Sequence, residues 1–225
     1  MANFYKHLQT AHEAAATGDA KQYGVEIAIV TNTKDPDKLG RVKVKFPRLD
    51  GAPESNWARV SQPAAGAGRG FYWIPEVEDE VLVAFERGES SQCYVIGALW
   101  NGKDKPMDDA YNDDNSTRMI QTKSGHKIVF EDKSGKEMIT IADKSGKRTI
   151  TFDVANKKFS IEAAEGDIEI KAEKNIIISC SDLQIKTDKT GKIDIGSTFD
   201  LTMGDTSNIK CSKTLNIKAQ RVNIN

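Results

Sequence analysis

Reactive side chains are sparse in this sequence. Three histidines (His7, His12, His126) and three cysteines (Cys93, Cys180, Cys211) stand among 225 residues. The cysteines are an odd, scattered set without C-x-x-C spacing, which points to a reducing compartment and no disulfide framework. The histidines leave little for metal or general-base chemistry, so no metal, cofactor or catalytic residue is assigned. Asp108, Asp109, Asp113 and Asp114 form the densest carboxylate cluster. Paired carboxylates do acid–base work in a rigid cleft that separates their pKa values. An exposed Asp/Asn-rich linker offers none, and the cluster lacks the glutamate at position 12 of a calcium loop. Gly66-Ala67-Gly68-Arg69-Gly70 lacks G-x-G-x-x-G spacing, and no helix follows it to present an N-terminus to phosphate; it reads as a flexible loop. The chain is expected not to be an enzyme. Arg41, Lys43 and Lys45 make a basic stripe, with Tyr72 and Trp73 able to stack on bases. That is the pattern of the alternative reading, an OB-fold nucleic-acid-binding protein. A net charge of −1 supplies no counterion-release drive, and no nucleic-acid partner is expected.

The elements that position these residues divide sharply along the chain. All six prolines and all three tryptophans precede residue 107, whereas four isoleucines fall in 1–114 and 17 in 115–225. One fold with one core would not sort its residues so. The division predicts a polar, alanine-rich arm or short helix over 1–24, a compact β domain over 25–100, a linker over 101–119 and a second domain over 120–225. Met1 to Thr10 has no apolar core and no small-residue cleavage site, so no signal peptide is expected.

In the β domain, Val25, Ile27 and Ile29 alternate with Glu26 and Ala28. Asp35-Pro36-Asp37-Lys38-Leu39-Gly40 is a turn, with proline fixing φ and glycine able to take a positive one. Val42, Val44 and Phe46 alternate strictly as the inward set of a second strand. Trp57–Val60, Val81–Phe85 and Cys93–Leu99 complete five strands, the last two joined by a hairpin at Arg87-Gly88-Glu89-Ser90. Five strands with no helix suit a small OB-type barrel, with an open five-stranded sheet with exposed edges as the alternative.

From residue 119 onward the sequence repeats. Apolar-x-apolar pairs recur twelve times, among them Ile128/Phe130, Ile139/Ile141, Ile150/Phe152, Phe159/Ile161, Ile168/Ile170, Ile176/Ile178, Ile193/Ile195, Leu215/Ile217 and Val222/Ile224. Polar turns such as Asp132-Lys133-Ser134-Gly135 and Asp143-Lys144-Ser145-Gly146 separate them. The period predicts a β-helix or solenoid. A strand with two buried side chains cannot alone offset the ordering cost of about eight residues, so it must stack and close around an axis. Either one chain winds coils or three chains interleave; a lone thin prism exposes its end edges, which favours the trimer. The expected needle core is Ile139, Ile141, Ile150, Phe152, Ile168, Ile170, Ile176, Ile178, Ile193, Ile195, Ile217 and Ile224. Cys180 and Cys211 lie at or beside inward positions and are expected to pack inertly.

Several segments carry a family resemblance. They are Lys38-Leu39-Gly40-Arg41-Val42-Lys43-Val44 with Phe46-Pro47, Trp57-Ala58-Arg59-Val60, Pro75–Val83 and Ile96-Gly97-Ala98-Leu99-Trp100-Asn101-Gly102. In that order they resemble the OB module shared by type VI secretion VgrG proteins and phage baseplate assembly protein V. Gly125-His126-Lys127-Ile128-Val129-Phe130-Glu131-Asp132 resembles the opening of that family's needle. Two positions depart: Glu78 stands where glycine is usual, and Glu89-Ser90 replaces an Asp-Pro turn.

The resemblance implies an all-β chain, an N-terminal OB barrel followed by a C-terminal intertwined, triple-stranded β-helix. It implies a homotrimeric, membrane-puncturing spike of a contractile injection machine such as a phage tail, tailocin, type VI-like or extracellular injection system. With only residues 1–24 ahead of the barrel, it implies a stand-alone spike and a separate baseplate hub protein, with Phe4, Tyr5 and Leu8 as docking contacts. It implies a PAAR-type tip protein on Arg221, Val222, Asn223, Ile224 and Asn225, and transient contact with a target cell envelope. The iron-binding His-x-His tip of some relatives has no counterpart after His126. The chain is expected to be made in the bacterial cytoplasm and assembled into the particle.

Overall fold

The computed structural model describes residues 21–49 and 51–223. Among these the fold is all-β, with helix limited to one 3-10 turn at Glu86–Gly88. The chain divides into two compact units, one ending at Ile168 and the other beginning at Glu169. No helix among the described residues is long and apolar enough to cross a membrane.

The first unit opens with five strands that curl into a partly open barrel: β1 (Val25–Asn32), β2 (Lys43–Lys45), β3 (Arg59–Val60), β6 (Glu80–Phe85) and β7 (Cys93–Ala98). Their order is β2-β1-β6-β7-β3, antiparallel except for the parallel β3–β7 pair. Val42 and Ala58 exchange backbone hydrogen bonds of 3.0 and 2.8 Å, joining the β2 side to the β3 side. This connectivity is that of the five-stranded Greek-key OB barrel. The interior is narrow, and small side chains fill it: Ala28, Val30, Val42, Val44, Ala58, Val81, Val83 and Val95 are essentially inaccessible, with Phe46 buried in the same core. Val42, Val44 and Phe46 thus point inward as their alternation predicts. On β1 the inward set is Ala28 and Val30 rather than Val25, Ile27 and Ile29. The bulkier isoleucines remain half-buried outside a lumen with room only for alanine and valine.

The Asp35–Arg41 turn is locked by one carboxylate. Asp35 accepts hydrogen bonds from the backbone of Asp37, Leu39 and Arg41 and from the Arg41 guanidinium. Its side chain is 3% exposed. Lys38 and Gly40 take positive φ there. The Gly66–Gly70 loop is an ordered hairpin rather than a flexible loop: β4 (Ala65–Gly66) pairs with β5 (Arg69–Gly70). Gly70 has φ of +146°, and a Cβ there would lie 2.5 Å from the Ala64 carbonyl oxygen.

The first unit continues as a meander of β8 (Thr117–Gln121), β9 (Lys127–Glu131), β10 (Met138–Ala142), β11 (Arg148–Asp153) and β12 (Lys158–Ala163), all neighbours antiparallel. β8 begins inside the stretch that the sequence assigns to the linker. Among its described residues the second unit has no regular strands paired within the chain. Its bends fall at Glu173–Lys174, Ser181, Asp188–Lys189, Gly196–Ser197, Gly204–Asp205, Ser212–Lys213 and Gln220, close to every eight residues.

Candidate functional site

The turns of the meander set its register. Gly125, Gly135 and Gly146 take φ of +95°, +76° and +69°, which suits glycine, while Lys157 makes the last turn at +53°. Asp143 accepts from Ser145 Oγ at 2.8 Å and from Arg148 Nη2 at 2.7 Å, tying both sides of its hairpin. The Arg148 guanidinium holds that carboxyl well below the usual carboxylate range. At the fourth turn Asp153 accepts from the Asn156 backbone and side chain, both at 2.9 Å.

With the register fixed, side chains align across all five strands. One rung runs Ile120, Ile128, Ile141, Ile150, Ile161; the next runs Arg118, Phe130, Ile139, Phe152, Phe159. Nine apolar side chains therefore share one face, with Arg118 at the edge beside Asp132 at 3.4 Å. Phe152 and Phe159 pack with centroids 4.8 Å apart. A half-covered antiparallel sheet buries its apolar face and wets its polar one. Here the order is inverted: Ile141 is 43% exposed, Phe152 46% and Ile161 52%, while Thr140, Thr151 and Ser160 behind them are half-buried.

The second unit carries the same signature further. Of the expected needle core, Ile168, Ile170, Ile176, Ile178, Ile193, Ile195 and Ile217 are all exposed in the single chain, as are Ile141, Ile150 and Phe152, and Ile139 is half-buried. Ile224 lies outside the described residues. Among the described residues after Ala164, no backbone N–H donates to a backbone carbonyl of the chain. Cys180 and Cys211 are exposed in this unit, whereas Cys93 sits in the barrel core, where burial pushes its thiol up.

Two of the three side chains of the basic stripe on the barrel are paired, while Lys45 is exposed. Arg41 is paired with Asp35 and Asp37 at 2.7 and 2.6 Å, and Lys43 with Glu54 at 3.0 Å. Two of the four linker carboxylates are likewise paired: Lys127 meets Asp109 and Lys133 meets Asp114, each at 2.5 Å, which lowers both carboxyls. Among the described residues no group of three or more His, Cys, Asp or Glu is placed to hold a metal ion. Phe4, Tyr5 and Leu8 lie outside the described residues, as does Asn225. Arg221, Val222 and Asn223 are exposed at the end of the second unit, Arg221 donating to Asn223 Oδ1 at 3.0 Å.

Comparison with known proteins agrees with the barrel topology. Residues 26–100 match the family described as the type VI secretion system/phage-baseplate injector OB domain. The chain carries that injector OB domain. The resemblance to VgrG and baseplate-V spike proteins is thus borne out over the barrel. Similar proteins include the type VI secretion system spike protein VgrG1c of Pseudomonas aeruginosa, 33% identical over 133 residues, which cover 52% of this chain and 18% of that protein. The actin cross-linking toxin VgrG1 of Vibrio cholerae is 34% identical over 111 residues, 46% of this chain and 10% of the toxin. VgrG3, a spike protein of the same species, is 32% identical over 114 residues, 47% of this chain and 11% of its own length. The chain therefore spans a fifth or less of these relatives.

Proposed function

We propose that this chain is a protomer of a homotrimeric, non-enzymatic spike that a contractile injection machine drives through a target envelope. The observation that carries the proposal is the pairing of two deficits in one chain. From β8 to β12 apolar side chains stand exposed in register, and among the described residues after Ala164 the backbone has no partner of its own. Buried backbone groups are almost always hydrogen-bonded, and an apolar ladder gains about 25 cal/mol per Å² when covered. Two further copies, offering the same ladders and the same unpaired backbone, supply both. A single chain winding coils on itself would pair its own strands, so the lack of such pairs favours three interleaved chains. The eight-residue spacing of bends fits one face of a three-sided shaft.

Mechanically, such a shaft opens locally only if three chains separate together. The exterior turns, rich in Lys, Asp and Ser, keep it from presenting apolar surface to lipid. Within the same proposal the barrel (25–100) is the base, 101–119 the connection and 120–225 the needle. Residues 1–24 dock a baseplate hub through Phe4, Tyr5 and Leu8, and Arg221–Asn225 seat a PAAR-type tip protein. The chain is made in the bacterial cytoplasm and assembled into a phage tail, tailocin or secretion particle. The spike names of the VgrG relatives and the matched injector domain support this reading. Amide hydrogen exchange on the purified chain tests it. Ile176, Ile178, Ile193 and Ile195 are expected to exchange orders of magnitude more slowly than a free chain. Exchange at the free-chain rate would reject the interleaved shaft.

A further inference from the structure

Between the barrel, the linker and the first strand of the meander lies a groove lined by apolar and charged side chains. Two adjoining hollows, about 990 and 530 Å³, share Phe71, Trp73, Asp79, Ala98, Asp104 and Gln121 as lining. Trp73 is 47% exposed and Trp100 68%, so large aromatic surface faces solvent. The Trp73 part of this surface is held in place by its neighbours. Phe71 and Trp73 stack with centroids 6.2 Å apart. The Phe71 backbone N–H donates to Ala64 O at 2.9 Å, and Gln62 Nε2 donates to Trp73 O at 2.9 Å. Rigid aromatic side chains lose little freedom on docking and are the usual anchors of tight interfaces.

The groove is also continuous with the exposed ladder of the meander. Met119 and Ile120 line its smaller hollow, and Ile120 is the first member of the isoleucine rung. We propose that the occupant of this groove is a neighbouring copy of the same chain, which covers Trp73 and Trp100 and locks the base of the assembly. A neighbour laid on the ladder reaches the groove at Ile120 without a gap. Under threefold symmetry the contact is heterologous, groove against a different patch, and it closes into a ring.

The inference rests on the trimeric reading, and its test separates the two. Benzoylphenylalanine is placed at position 100 of the full chain in one sample, and at exposed Lys38, outside the groove, in another. Each sample is sized by light scattering before illumination. A trimer that yields covalently linked copies from position 100, and at least about tenfold fewer from position 38, supports the inference. A trimer with no linked copies from position 100, or with equal yields from both positions, overturns the groove contact and leaves the trimer standing. A monomer overturns both.

Discussion

Replacing Ile150 by alanine separates a shaft face shared between copies from one that stays in water. Ile150 sits in the middle of its rung, between Ile141 and Ile161, and is 37% exposed in the single chain. If that face stayed wet, the substitution would trim a partly solvated side chain at a cost of about 1 kcal/mol. If two other copies cover it, the site is enclosed. Loss of an enclosed isoleucine costs ~2–5 kcal/mol per chain, transfer and cavity together. Three copies per assembly bring this to about 6–15 kcal/mol, less whatever coupling around the axis removes. Thr151→Ala is the matched control, one residue on and on the opposite, half-buried face. Its expected cost is about 0.5–1 kcal/mol per chain. The assay is guanidinium dissociation followed by circular dichroism and light scattering at two protein concentrations. A trimer's midpoint rises with concentration, and Ile150→Ala is expected to lower it far more than Thr151→Ala. Equal shifts for the two variants, or a midpoint independent of concentration, would refute the reasoning.

Three further outcomes follow from local geometry. Asp35→Asn is expected to destabilise the barrel near neutral pH and to flatten its acid sensitivity. The Arg41 guanidinium holds the Asp35 carboxyl below its ordinary value, so its stabilisation is full above about pH 4 and fades as pH falls toward the lowered value; melts at pH 7 and pH 3 read this directly. Glu78→Gly is expected to stabilise the barrel by about 1 kcal/mol, because Glu78 holds φ of +77° where glycine is unstrained; thermal melting checks it. Gly70→Ala is expected to disorder the β4–β5 hairpin, since the new Cβ meets the Ala64 carbonyl at 2.5 Å; loss of the Trp73 near-ultraviolet dichroism signal reports it.

The barrel was largely legible because strand alternation and glycine-marked turns are local signals. Val42, Val44 and Phe46 declared their strand and their direction at once. The β1 direction was not legible, because which face of Val25–Asn32 turns inward depends on lumen width, a property of the closed barrel. The β4–β5 hairpin went unread since two-residue strands carry no alternation; the aromatic pair after it, Phe71 and Trp73, was the available signal. β8 started early because Arg118 interrupts the apolar rung at its edge. The repeat itself was visible in the isoleucine pairs, but its pairing depends on step length. Steps of nine to eleven residues, as from Ile128 to Ile139 and from Ile139 to Ile150, hold a five-residue strand and a reversing turn, so β9 to β12 fold back on one another. From Ile168 onward the steps range from six to ten residues, and among the described residues those segments run on without partners in their own chain. Asp35 was legible as a turn residue and not as the carboxylate that gathers five donors.

The central claim is that the exposed ladders and the unpaired backbone are completed by two more copies. The mass of the purified 225-residue chain in solution tests it most directly. Three chains of 24.8 kDa predict a species of about 74 kDa that persists on dilution. A species of 24.8 kDa at micromolar concentration would contradict the account.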